Sequence, residues 1–486
     1  MKSVVGSISI FGALLIGLFA CTPLQTQGPP AAQAAVSVNI TPHPENPGSA
    51  IPADFLGLAF DAPTLADGNK YFDTGNGQMV NLLQNLGQGV LCFGANGLDY
   101  TSWSRSPFQF FQGNHTVLSP GDLDRMFAFA SKTGWKVILG LNLGSNNPQQ
   151  AADEAEYAYR VGAGSILAFE IGNEPDLYYR NGLRKSAYSY NDYSSEFDTY
   201  FNEIRGRVPN APVAGPVTTG KLSWFTSFVK EKGSNIIMST NHYYPLDAGT
   251  GVRPGDLLYA SVENLLSQRV RNFSSNLIQG FAGVARDANI PLRFDETNTS
   301  YPGKDGVGDV FGSALWAADY LFQLADNGVS GANFFGGFTC RGFNPVCHEK
   351  GLIFTSGQYR AQALYYGMLF FHNAARGRIV PVEYGTSANI SIHAVLDTDG
   401  ALRLSIINKE TSQDLNAAVS GGSYTGASAQ RLSAPSIHSN TGITFAGSSV
   451  KADGTWTPGP DETIIRDGSV FRVSVPAASA VLVTFK

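Results

Sequence analysis

Charge is scarce in this chain. Only 15% of its 486 residues are Asp, Glu, Lys or Arg, and 39 acids against 33 bases leave a net charge of −6. No basic stripe is available to follow a phosphate backbone, which sets aside nucleic acid and strongly anionic polymers as partners. Cysteines number four and histidines seven. No second cysteine pair and no histidine pair stand at metal-ligand spacing, so neither a metal nor a cofactor is expected. The serines offer no nucleophile elbow. Beyond the N-terminal stretch no apolar run is long enough to cross a bilayer. What is plentiful is apolar: 43% hydrophobic and 12% aromatic residues, with 31 Phe and 54 Gly, suit a large core threaded by tight turns. The length fits two domains, one of them a large barrel.

Residues 1–34 read as an export segment and spacer. Lys2 supplies the positive start, and an apolar stretch from Val4 to Ala20 follows. Two endings compete: a lipoprotein-like box, Leu18-Phe19-Ala20-Cys21, which would anchor the chain through lipid on Cys21, and ordinary cleavage after Ala32-Gln33-Ala34. Either way the mature protein is expected outside the cytoplasm. Cys340 and Cys347, in TCRGFNPVCHEK, are expected to pair as a disulfide in an oxidising compartment. A metal there would have only His348 nearby. Cys92 reads as a small buried residue.

Eight short apolar runs alternate with helix-like stretches: 55–61, 89–95, 136–143, 166–174, 211–219, 236–244, 292–298 and 331–338. Strands apolar on both faces, each followed by a helix, predict a (β/α)8 TIM barrel over 51–377. From about Arg378 the texture changes to alternating strands around Asp-Gly turns, which predicts a β-sandwich over 378–486. An early strand within 35–50 is expected to join that sandwich.

The run AFEIGNEPDLYYR ends an apolar strand with a carboxylate. In such a barrel, catalytic groups sit at the C-terminal strand ends. Glu174 ends the fourth strand, where Pro175 stops the ladder, and Glu296 ends the seventh. Two facing carboxylates are what glycoside hydrolysis requires: one protonated to serve the leaving oxygen, the other ionised to attack the anomeric carbon or activate water. Asn173 is placed to donate to a sugar hydroxyl, and Tyr243 to hydrogen-bond the ionised partner. His242 reads as a satisfied core histidine, and Phe334-Phe335 as core.

The ordered set GNEPDLY, NHYYP, ETNTSYPGKDGVGDVFGSALWAADYL and YRAQALYYGMLFF resembles the β-glucuronidase and heparanase family of retaining (β/α)8 glycosidases, glycoside hydrolase family 79. The resemblance covers the barrel and, less fully, the sandwich. It implies that Glu174 is the acid/base, that Glu296 is the nucleophile and that Asp61 binds sugar hydroxyls. Tyr243 would touch the nucleophile, and the loop Tyr301-Pro302-Gly303 would approach a uronate carboxylate. Three positions depart from the pattern. Cys92 stands where the family carries an arginine that helps keep the nucleophile ionised. Pro302 replaces a glycine and has no N–H to offer. Phe343 stands where related glucuronidases show a tyrosine. Arg341 or Lys304 are candidates to supply the missing anion contacts. The expected function is a retaining exo-β-glucuronidase acting on a carbohydrate. A β-glycosidase for neutral sugars, an endo-acting heparanase-like hydrolase and a non-catalytic carbohydrate-binding protein on the same scaffold remain as alternatives.

Overall fold

A computed structural model of the chain describes residues 34–66, 71–106, 116–185, 187–337, 339–348 and 358–486. The expected export segment, with Cys21, lies outside them. Among the described residues no helix is long and apolar enough to cross a membrane.

Eight parallel strands close into a barrel: β1 (Leu56–Asp61), β2 (Val90–Gly94), β3 (Lys136–Leu141), β4 (Ile166–Ile171), β5 (Val213–Thr218), β6 (Met238–Tyr243), β7 (Leu292–Thr297) and β8 (Gly331–Phe335). They follow one another around the ring in chain order, and β8 closes on β1. All eight predicted runs form these strands. Their apolar residues fall on both faces because one face meets the surrounding helices and the other fills the barrel.

The lumen is stacked in layers. At its floor Arg293 is 1% exposed. It donates to Asn333 Oδ1 at 2.6 Å and to the backbone carbonyls of Asp54, Phe55 and Leu56. Gly57 makes room for that floor: a β-carbon there would lie 2.5 Å from the Asn333 side chain. Cys92, Glu170, Thr240 and Asp295 form the buried middle layer. Above it the strand ends open into the mouth.

Strand β7 departs from regular pairing. Its register against β6 shifts between Arg293 and Glu296, and against β8 between Phe294 and Thr297. In a regular strand neighbouring side chains face opposite ways. The irregularity lets Asp295 and Glu296, adjacent in sequence, both face the lumen, as bulges near active sites do.

Three helices tie the barrel to the second domain: α1 (Gln268–Asp287), α2 (Phe311–Asp326) and α3 (Ala363–Ala374). Every residue of α2 from Phe311 to Ala325 is buried, so it is a helix with no solvent face. Midway along it Asp319 accepts from Lys409 Nζ at 2.6 Å, from Arg271 Nε at 3.0 Å and lies 3.0 Å from His393 Nε2, joining α1 and α2 to the sandwich. Burial alone would raise the Asp319 pKa, but Lys409, Arg271 and His393 hold it well below the usual carboxylate range.

The C-terminal part packs a five-stranded sheet on a seven-stranded one. Val36–Pro42 lies inside the first sheet, antiparallel to Val382–Tyr384 and parallel to Leu415–Ser420. Val38 and Ile40 are buried with Ile406, Phe471 and Val481 in the sandwich core.

Candidate active site

Glu174 sits in the turn that leaves β4, and three features aim it. Gly172 has φ +81°, and a β-carbon on it would meet the Tyr178 hydroxyl at 2.5 Å, so this left-handed step needs glycine. Glu174 itself is left-handed, at φ +48°. Its N–H donates to Val217 O at 2.9 Å, and Asp176 accepts from Thr219 Oγ1 at 2.6 Å and Thr219 N at 3.2 Å. The motif Asn-Glu-Pro-Asp is therefore tied to the loop after β5 on both sides of the glutamate. Strain is held here in non-glycine residues, at Glu174 and at the β-branched Val217 (φ +57°), as is common at functional sites.

Glu296 faces Glu174 across the mouth, and a carboxylate oxygen of each lies within 4.8 Å of the other. Their side chains are 8% and 13% exposed respectively. Burial raises the Glu296 pKa from 4.5 to about 7, helped by the nearby Glu174 and Asp295 and opposed by His242 and the Tyr244 hydroxyl.

The partner of Glu296 is Tyr244, whose hydroxyl donates to Oε1 at 2.7 Å. This corrects the expectation for Tyr243. That residue points out of the barrel, where its hydroxyl lies 2.8 Å from Ser274 Oγ and its ring packs on Phe294 and Tyr320. The reason is strand parity. Thr240, His242 and Tyr244 share the lumen side of β6 and its extension, while Asn241 and Tyr243 face the helices.

His242 is likewise more than a core histidine. Its Nδ1 lies 2.8 Å from Glu174 Oε1 and 3.7 Å from Glu296 Oε1, and its Nε2 lies 3.3 Å from Asp295 Oδ2. Burial alone would strip its proton, but Glu296, Asp295 and Glu174 hold its pKa well above the ordinary value. Below it, burial and the Asp295 carboxylate push Glu170 well above its usual range. Cys92 Sγ lies 3.8 Å from Glu170 Oε2.

The other candidates line the mouth unevenly. Asn173 is buried, with its amide 3.3 Å from Asn96 Oδ1, and Asn96 in turn donates to the Tyr301 hydroxyl at 3.4 Å. Its own Oδ1 has no hydrogen-bond partner. Asp61, at the end of β1, accepts from Gly97 N–H at 2.8 Å, and burial raises its pKa. Tyr301 and Phe343 pack on Tyr244 at ring distances of 5.5 and 6.3 Å and complete an aromatic wall. Gly303 lies against Phe343, where a β-carbon would come within 2.5 Å of the ring. Cys340 and Cys347 are bonded to each other. Arg341, by contrast, is 82% exposed and 3.8 Å from Asp305 Oδ2, turned to solvent. Lys304 donates to Ala260 O at 2.8 Å and covers the Tyr259 ring.

Two triads bring ligand-type atoms within 4.8 Å of one another: Cys92, Glu170 and Asp295, and Glu174, His242 and Glu296. The second is the candidate catalytic pair with the histidine that bridges it. The first lies directly beneath.

Residues 392–482 match the glycosyl hydrolase family 79 C-terminal beta domain. A β-glucuronidase of Aspergillus niger is 26% identical over 363 residues, covering 65% of each chain. Heparanase-like protein 3 of Arabidopsis thaliana is 27% identical over 240 residues, 46% of this chain and 43% of that one. The C-terminal sandwich thus resembles the one found in glycoside hydrolase family 79. The chain spans less than two thirds of the length of these curated relatives. Among solved structures, the 4-O-α-L-rhamnosyl-β-D-glucuronidase of Fusarium oxysporum superposes with a TM-score of 0.75 at 21% identity, over 92% of this chain and 100% of that one. The family 51 arabinofuranosidase of Xanthomonas axonopodis gives 0.68 at 14% identity, over 93% and 100%. Both likenesses speak to the fold. Among the described residues no Lys or Arg forms an ion pair with Glu174, Glu296 or Asp295.

Proposed function

We propose that the protein is a retaining exo-β-glucuronidase. The observation that carries this reading is the approach of the Glu174 and Glu296 carboxylates to within 4.8 Å. Retention needs a separation of roughly 5–5.5 Å, whereas inversion leaves about 6.5–9.5 Å for a water. The ionised form of Glu296, favoured by His242 and the Tyr244 hydroxyl, attacks the anomeric carbon while Glu174 protonates the leaving oxygen. Water activated by Glu174 then releases the sugar with its configuration kept. The Tyr244 hydroxyl steadies the Glu296 oxygen as it becomes a leaving group. Asn173 offers its amide to the sugar, and Asp61 lies along the same rim. The relatives named for glucuronidase activity support glucuronate as the sugar.

Release of p-nitrophenol from its β-glucuronide, with the β-anomer of the sugar appearing first by proton NMR, tests this. An α-anomer as first product would end the retaining mechanism.

A second reading is a β-glycosidase for a neutral sugar. Its support is local: Pro302 has no N–H, Phe343 has no hydroxyl, Arg341 faces solvent and Lys304 is engaged at Tyr259 and Ala260. Faster turnover of the p-nitrophenyl β-glucoside than of the β-glucuronide selects it. Export through the N-terminal segment accompanies either reading, and mass analysis of the mature N-terminus distinguishes a lipid on Cys21 from free secretion.

A further inference from the structure

The two-carboxylate scheme leaves His242 without a task, although it touches both members of the pair. The groups that face its ring are Glu174 and Glu170 from β4 and its turn and Asp295 and Glu296 from β7, while Tyr244, just past its own strand, donates to Glu296. Cys92 of β2 closes the layer beneath. Arg293 is committed to the floor by Asn333 and three backbone carbonyls. Asp295 is 1% exposed; its Oδ2 lies 3.3 Å from His242 Nε2, and the Glu170 carboxyl is its other hydrogen-bonding neighbour. A neutral carboxyl can donate to a buried carboxylate but cannot offset its charge, and His242 is the adjacent group that can.

We propose that Asp295 and His242 together supply the positive counter-charge of this site. Asp295 keeps His242 an imidazolium, and its Nδ1–H serves whichever of Glu174 and Glu296 carries the negative charge. Asp295 is then a positioning residue that acts through His242. The proposal rests on the two-carboxylate mechanism above and explains a demand that mechanism makes. In the first half-reaction Glu296 forms its bond to the anomeric carbon as the Glu174 proton passes to the leaving oxygen, so the negative charge moves from Glu296 to Glu174. In the second half Glu174 takes a proton from water, the water oxygen displaces Glu296 at that carbon, and the charge returns. A cation fixed on one side would favour only one half. An imidazolium 2.8 Å from one carboxylate and 3.7 Å from the other serves both with a small tilt of the ring. A neutral imidazole has one N–H and no charge, and does neither job as well.

The test compares Asp295→Asn, His242→Gln and the double variant, each in the full chain. Nitrogen NMR of histidine-labelled protein, with the His242 signal assigned by its loss in His242→Gln, reads ionisation without any turnover. Both ring nitrogens are expected to be protonated at pH 7 in the parent, and one is expected to have lost its proton at that pH in Asp295→Asn. In kinetics Asp295→Asn should lower kcat about tenfold at pH 7.5, with KM changed less than about threefold and a smaller loss at pH 5.5. The double variant should be no slower than His242→Gln, because the second change acts through the first. A neutral His242 in the parent, unchanged ionisation in Asp295→Asn, or losses that add in the double variant would overturn the proposal. Asp295→Ser replaces Asp295→Asn if thermal melting shows the latter to be unfolded. Should the parent turn over no glycoside, the proposed function fails, while the NMR result still decides whether Asp295 holds His242 charged.

Discussion

Two buried polar clusters in this molecule each place a histidine against carboxylates, and they are built in opposite senses. At the barrel mouth, Glu170, Glu174, Asp295 and Glu296 surround one imidazole, and the acids outnumber the base. Between the barrel and the sandwich, Asp319 receives Lys409, Arg271 and His393, with Asp326 on the other nitrogen of that imidazole, and three bases face two acids. Burial penalises charge in both places. In the second, well-matched cations overcome that penalty and Asp319 stays ionised. In the first they do not, and Glu296 is pushed up to about 7. The contrast separates a join from a reactive site: full compensation locks geometry, whereas partial compensation leaves protons ready to move.

That contrast can be broken most sharply at the mouth. Glu296→Ala should reduce turnover by at least about 10³-fold while the fold persists, as measured by burst and steady-state kinetics beside a melting curve. Parental turnover in this variant would remove Glu296 from the mechanism. At the join, Asp319→Ala should cost about 3–5 kcal/mol, chiefly by stranding the buried Lys409. Denaturant titration would show this, with kcat of the surviving folded fraction unchanged.

The pH dependence of stability should split along the same line. A Glu296 pKa raised from 4.5 to about 7 means that the native state holds the extra proton, so this group's contribution falls as pH rises through that window. Glu296→Gln should therefore be relatively more stable than the parent at pH 8 than at pH 4. The depressed Asp319 gives the opposite sign. Its contribution is present above the unfolded carboxylate value and is lost as pH falls below it. Melting temperatures across pH 3–9 for the two variants would show the two slopes, and parallel curves would refute the assignment. The smallest effect concerns neighbours. Tyr244→Phe should slow turnover about tenfold at little cost in stability. Tyr243→Phe should cost about 1 kcal/mol through the Ser274 contact and leave the kinetics alone.

The barrel was legible in the sequence because its strands are apolar on both faces and its helices keep one period. Each of the eight runs carried that signal independently. The position of Glu174 was legible too, since a carboxylate and a proline ending an apolar run have few structural uses. The assignment to Tyr243 failed by one residue, because parity can be read only once a lumen-facing neighbour is known. The clue was present in the alternation of Thr240, His242 and Tyr244, which also marks His242. The pairing of Asp295 with Glu296 on one face was not readable, since it depends on an irregularity in β7 that composition does not announce. Nor was the Asp319 cluster, whose members meet only after two domains pack.

The strand Val36–Pro42 sits between Val382–Tyr384 and Leu415–Ser420, in the interior of its sheet rather than at an edge. Its neighbours are synthesised only after the whole barrel. During synthesis this strand, apolar on one face, must therefore wait, unpaired, while the barrel matures beside it. The sandwich is completed by recruiting the earliest described strand to a seat left open for it. The order of assembly is thus the reverse of the order of translation at this one place, and a partner that shields residues 36–42 in the interval would help the chain reach its native state.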